Sequence, residues 1–188
     1  MQTITDTELI ERYRQGDTEA LSELVDRYRR PLFGFILRMT RKNEDAEEIF
    51  QEVWLKAINN LARYRDDRFL SWLFRIAHNL VIDRARRRKP EISMDDENTT
   101  DRLAHHAGHV SPSPAEALQA KDMHGRIRTA VDLLPADQRE VFLMRMEADL
   151  PFKDIARIQG TSINTALARM GYALDKLRKA LAEDYAQL

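Results

Sequence analysis

From Asn43 the chain places Ala46, Ile49, Phe50, Val53, Trp54, Ala57, Ile58 and Leu61 at steps of three and four residues without a break. Only an α-helix brings such positions to one side, so the spacing predicts a helix whose wide apolar face other elements must cover. Neither the residues before it nor those after it show runs of alternating β-branched residues or a hairpin turn signal. An all-α protein follows, and an apolar fraction of 43% is enough to build its core.

The helical material falls into two blocks. Between them Pro90 to Pro114, PEISMDDENTTDRLAHHAGHVSPSP, has clustered prolines, a glycine, few large apolar residues and no sustained period, which reads as a flexible linker. Residues 1–89 carry 18 basic and 15 acidic side chains, the linker 90–114 carries 1 and 5, and residues 115–188 carry 11 and 11. The net charge of −1 therefore conceals a basic first block and an acidic linker. There is no cysteine, which excludes a disulfide framework and a thiolate metal site. The opening residues MQTITDTELIERYRQGD are polar and lack a secretory h-region, and nowhere do eighteen apolar residues run together, so a cytoplasmic protein without membrane insertion is expected.

In the first block Thr5 to Glu8 has capping-box spacing, and a helix to about Gln15 stops at Gly16. Asp17 can cap a second helix carrying Leu21, Leu24, Val25 and Tyr28, and Pro31 marks either a kink or the first turn of a further segment, Leu32 to Met39. In the second block a helix can run from Ala115 to Leu134, and another from Asp137 to Glu147. A short helix Phe152 to Ile158, the turn Gly160-Thr161-Ser162 and a longer helix from Ile163 to about Glu183 then follow. Ile163, Ala166, Leu167, Met170, Leu174, Leu177 and Leu181 lie on one side of the last helix, so the order is that of a helix-turn-helix.

Three surfaces bear on function. On a helical wheel, FLSWLFRIAHNLVIDRARRRK (residues 69–89) sets Leu70, Leu73, Phe74, Ala77, Leu80 and Val81 against a stripe of Trp72, Arg75, Ile76, Asn79, Asp83 and Arg86. Guanidinium groups pair with phosphates, an amide reads a base edge and an indole stacks on an unpaired base, so the stripe suits nucleic acid. A solvated basic face packed locally through Trp72 and Ile76 would give the same pattern. The terminal run Arg84 to Lys89 reads as phosphate grip. The helix from Asn43 lines up Asp45, Glu48, Glu52, Lys56 and Asn59 on its outer face, with Leu55 beside them and Gln51 at the edge. That is either a solvated face or, because of Leu55, a partner surface. On the last helix Thr165, Ala168, Arg169, Tyr172, Lys176 and Lys179 face outward, with Ser162 and Asn164 at the end that normally enters the major groove. His105, His106 and His109 in the linker are expected to be solvated rather than metal ligands. No Gly-rich phosphate loop, nucleophile elbow or ligand cluster occurs, so neither an enzyme nor a cofactor is expected.

DAEEIFQEVWLKA (Asp45 to Ala57), FLSWLFRIAHNLVIDRARR (Phe69 to Arg87) and LPADQREVFLMRMEADLPFKDIARIQGTSINTALARM (Leu134 to Met170) resemble, in order, the signatures of the extracytoplasmic-function sigma factors, bacterial transcription initiation factors. The resemblance implies a core-polymerase surface at Asp45, Glu48, Gln51, Glu52 and Leu55. It implies minus-ten contacts at Arg63, Tyr64, Arg65, Phe69, Trp72, Arg75, Asn79 and Arg86, and minus-thirty-five contacts at Ser162, Asn164, Thr165, Arg169, Tyr172 and Lys176. The implied partners are core RNA polymerase, promoter DNA and, as in many members, an anti-sigma factor. A two-domain helix-turn-helix regulator acting without polymerase is the alternative.

Overall fold

The computed structural model describes residues 4–65, 68–88 and 125–186, and the described secondary structure is helical throughout. The first block holds α1 (Asp6–Arg14), α2 (Thr18–Thr40), α3 (Asn43–Leu61) and α4 (Phe69–Arg88). The second holds a helical stretch over 125–132, here α5, then α6 (Ala136–Met146), α7 (Phe152–Gln159) and α8 (Ile163–Ala186). The linker, with its three histidines, and the first part of the helix expected from Ala115 lie outside the described residues.

Local chemistry sets the helix ends. Thr5 and Glu8 close a reciprocal capping box on α1, and Asp17 caps α2 through the backbone N–H of Glu19 at 3.1 Å. Pro31 neither ends nor starts a helix: α2 continues through it to Thr40. The two segments expected there are one element, because Leu24, Leu32, Phe35 and Ile36 on both sides of the proline are buried together. That packing outweighs the one hydrogen bond a proline removes. The turn between α7 and α8 depends on Gly160, at φ 63° in the left-handed region.

In the first block α2 packs against α1, α3 and α4, around fully buried Phe35, Phe69, Phe74 and Leu73. In the second, α8 packs on α6 and α7. The buried stripe of α8 differs from expectation. Ala166, Met170, Ala173 and Leu177 are buried, whereas Ile163, Leu167 and Leu174 remain 45%, 46% and 42% exposed. The helix is rotated so that small alanines meet α6 and α7 closely, which a wheel weighted toward large residues does not register.

The blocks touch each other, α4 against α7 and α2 against α6. At the second contact Glu147 Oε1 lies 3.3 Å from Arg38 Nε. Its Oε2 would stand 3.2 Å from a Cβ placed on Gly34, so any larger residue there would push this carboxylate aside by a few tenths of an ångström. Burial raises the Glu147 pKa above the usual carboxylate range, outweighing Arg38 and Arg30, which act to lower it; Asp132 adds to the rise. The folded state thus holds the Glu147 proton more tightly than the unfolded chain. Its contribution to stability is full below the ordinary carboxylate pKa and is lost as pH rises through the folded value. Glu147→Gln cannot ionise, so as pH rises from about 4 through the folded value of Glu147 the variant should gain stability relative to the parent. Urea unfolding followed by circular dichroism at several pH values measures this; a parallel pH dependence in the two proteins would contradict it.

Candidate nucleic-acid interface

The centre of the first block's surface is an aromatic stack. Phe69, the first residue of α4, is 1% exposed. Its ring lies 5.9 Å from Tyr28, 6.4 Å from Trp54, 5.5 Å from Tyr64 and 5.7 Å from Trp72, centroid to centroid. Tyr64 in turn sits 4.8 Å from Trp72. Tilted and edge-on contacts at these distances each add about 0.5–1.5 kcal/mol beyond the area they bury. Trp72 is therefore half-buried and fixed from below, while Arg75, Asn79, Asp83 and Arg86 follow it along α4 on the exposed side.

Two of the expected DNA contacts lie inside. Phe69 is core and Tyr64 is 8% exposed, so both support Trp72 rather than present a face of their own. Arg63 and Arg65 are exposed in the loop after α3, and Arg65 donates to the carbonyls of Ala62 and Tyr64, each at 2.9 Å. A residue absent from the sequence-level candidates shapes this loop: Arg14 of α1 donates to the carbonyl of Leu61 at 2.9 Å and also to that of Tyr64. An arginine in the last turn of a short helix reads from sequence as complement to the helix dipole, and nothing local points to a loop 47 residues away.

The outer face of α3 is likewise divided. Glu48, Gln51, Glu52 and Leu55 are exposed, Leu55 by 61%. Asp45 was expected with them but is 5% exposed. Arg84 of α4 explains the difference, with one guanidinium nitrogen 3.1 Å from Asp45 Oδ1 and the other 2.5 Å from Glu48 Oε2. The same bridge removes Arg84 from the expected phosphate-gripping run and makes it a clasp between α3 and α4. Arg86 and Arg87 remain exposed.

On α8 Ser162 caps the helix, accepting the backbone N–H of Thr165 at 3.0 Å, and its Oγ lies 2.9 Å from Thr165 Oγ1. Asn164, Thr165, Ala168, Tyr172 and Lys176 are exposed, Tyr172 by 61%. Arg169 is only part-exposed, its Nε 3.0 Å from Asp137 Oδ2 and its outer nitrogen donating to Gln159 Oε1 at 2.8 Å. The α8 residues thus divide into those that brace the helix, Ser162 and Arg169, and those that project from it.

Two family models match the chain, sigma-70 region 2 over residues 24–91 and sigma-70 region 4 over residues 124–177. The RNA polymerase sigma-H factor of Pseudomonas aeruginosa is 30% identical over 180 residues, covering 94% of this chain and 93% of its own length. The ECF RNA polymerase sigma factor SigW of Bacillus subtilis is 29% identical over 178 residues, covering 93% and 95%. Among solved structures, CnrH in complex with the cytosolic domain of CnrY aligns with a TM-score of 0.66 at 22% identity, covering 95% of this chain and 98% of that one. The sigma factor RpoE in complex with the anti-sigma factor NepR from Bartonella quintana aligns with a TM-score of 0.66 at 21% identity, covering 86% and 96%.

Because Phe69 meets four aromatic rings, Phe69→Ala should lower the unfolding free energy by about 3–5 kcal/mol, the usual range for a buried phenylalanine. Denaturant titration checks it. A loss under about 1 kcal/mol would mean that the ring is not core.

Proposed function

Because the chain belongs to the extracytoplasmic-function sigma factors of the sigma-70 family, which direct RNA polymerase to promoters, we propose a division of labour between its two blocks. It is a transcription initiation factor that binds core polymerase and promoter DNA, with no catalytic chemistry of its own. Residues 1–89 dock on core polymerase and recognise and open the minus-ten element. Residues 115–188 read the minus-thirty-five element, and the acidic stretch 90–114 joins them. The chain acts in the cytoplasm, and no described helix is long and apolar enough to cross a membrane.

The observation that carries the minus-ten assignment is the braced, half-buried Trp72 beside exposed Arg75 and Asn79. Unstacking duplex DNA costs a few kcal/mol per step. Stacking a released base on a fixed aromatic edge returns about 1–3 kcal/mol, and a ring already held in place loses little entropy when it does so. Arg63, Arg65, Arg75 and Arg86 supply phosphate contacts and Asn79 a base-edge contact, with Tyr64 and Phe69 setting the height of Trp72. A plain duplex reader has no use for such a stack, which sets aside a regulator working without polymerase.

Glu48, Gln51, Glu52 and Leu55 form the polymerase surface, Leu55 as the apolar anchor within a polar rim and Asp45 holding the helix from beneath through Arg84. At the other end of the chain Asn164, Thr165, Tyr172 and Lys176 enter the major groove, with Ser162 and Arg169 fixing the pose of α8. RpoE of Bartonella quintana is seen bound to an anti-sigma factor, and an inhibitor of that kind is proposed here too.

Purified protein added to core polymerase and a promoter library should co-elute with core and yield specific transcripts; failure of both would overturn the reading. Asn79→Ala should reduce promoter-specific initiation about 10-fold, the value of one base contact, while leaving core binding unchanged. Leu55→Asp should do the reverse, weakening co-elution with core by about 10-fold at unchanged helicity. Equal loss of both activities in either variant would contradict the division.

A further inference from the structure

Both ends of α1 reach the aromatic stack that carries Trp72. At its start Asp6 accepts from the Tyr28 hydroxyl and lies 2.7 Å from an Arg27 guanidinium nitrogen, and the Tyr28 ring rests 5.9 Å from Phe69. Burial and the hydrogen bond to Asp6 raise the Tyr28 pKa, so the hydroxyl keeps its proton and stays a donor. At the other end of the helix one nitrogen of Arg14 donates to the carbonyls of Leu61 and Tyr64, while its second nitrogen lies 3.3 Å from Glu11. The Tyr64 ring in turn sits 4.8 Å from Trp72.

The contact at Arg14 answers a need of α3. The last carbonyls of a helix have no donor within it, and that end carries partial negative charge. No basic residue occupies the last turn of α3, so the guanidinium comes from another helix. Past the helix end the backbone N–H of Arg63 donates to Asn60 and that of Tyr64 to Leu61, at 3.0 and 3.2 Å. The Tyr64 carbonyl accepts from both Arg14 and Arg65, so both of its lone pairs are engaged and this peptide is clamped from two sides. Arg63 and Arg65 are left exposed on either side of buried Tyr64, which is turned in against Trp72.

α1 lies ahead of residues 24–91, the stretch matched by sigma-70 region 2. We propose that α1 is nonetheless a positioning element for minus-ten selectivity: Arg14 holds the loop after α3 so that Tyr64 sets the height and tilt of Trp72, and Asp6 fixes the helix to the far side of the same stack. The inference rests on the assignment of Trp72, Arg75 and Asn79 to the minus-ten strand. Arg14 acts through Tyr64 and Trp72 and has no contact with a base. Its effect falls on discrimination because a hydrogen bond to a base edge weakens steeply with angle, whereas attraction to a phosphate declines slowly with distance. A small tilt of the ring on which a base rests therefore blurs the choice of base before it loosens the grip on the strand.

Labelling with 5-fluorotryptophan gives one fluorine signal each from Trp54 and Trp72, the two tryptophans of the chain, and Trp72→Phe tells them apart. In the free protein Arg14→Gln should move or broaden the Trp72 signal and leave that of Trp54 in place. Arg14→Lys keeps the charge but not the planar fork, so it should have a smaller effect of the same kind. With core polymerase, initiation from a promoter selected out of the library is then compared with initiation from the same promoter carrying one substituted minus-ten base. Arg14→Gln should cut that ratio about 5-fold, the lower end of what one base contact discriminates, with co-elution with core at the parent level. Arg14→Lys should fall between the two. A merely structural role would lower both initiation rates together and leave the ratio alone, which would overturn the inference, as would a Trp72 signal that Arg14→Gln does not move. A ratio unchanged by Arg14→Gln but lost in Asn79→Ala overturns this inference alone, whereas a ratio unchanged by both overturns the minus-ten assignment beneath it.

Discussion

Phe69 stands where α2, α3, α4 and the loop after α3 converge, and the first block is arranged around its enclosure. Tyr28 reaches it from α2, Trp54 from α3, and Tyr64 and Trp72 from the two sides of the loop. An aromatic ring held on several sides has little freedom to shift, because a packed interior resists small displacements more than a hinge or loop does. Trp72 inherits that rigidity at a distance of one ring. The placement of the exposed residues that follow it on α4 therefore traces back to a side chain buried in the core.

The charged contacts obey a complementary rule. Within the first block Arg84 joins α3 to α4, and Arg14 ties the end of α3 and the following loop to α1. Between the blocks Arg68, His78 and Arg38 reach buried or part-buried carboxylates. A guanidinium can span two elements and satisfy several acceptors in one plane, which makes arginine suited to joining helices that share little apolar surface. The uneven charge along the sequence thus has a mechanical side: Arg14, Arg38, Arg68 and Arg84 of the first block are engaged internally, while Arg75, Arg86 and Arg87 remain exposed.

Much of this was legible beforehand. The steps of three and four in α3, the capping residues of α1 and α2 and the Gly160 turn before α8 are local signals, and each led to the element observed. What the periodicity missed is non-local. Asp45 faces inward because of Arg84, 39 residues away, and Asp154 meets Arg68 across 86 residues; no window of one helical turn contains either pair. Phe69 stands in the motif whose resemblance implies DNA contact, but its burial depends on rings from three other segments. The rotation of α8 is not legible in the periodicity because its most deeply buried residues are Ala166 and Ala173, whose weight on a wheel is small.

The division of α8 also bears on how such a chain can change over generations. Ser162 sets the helix start and Arg169 anchors its flank to Asp137 and Gln159, whereas Asn164, Thr165, Ala168 and Tyr172 project outward without carrying the fold. On the proposed assignment, substitutions at the projecting positions alter what is read, while substitutions at the two braces move every reading residue at once. On that assignment, duplicated copies can diverge toward different target sequences through a few exposed positions. Insulation of the copies from one another is then an evolutionary by-product of how one helix is pinned.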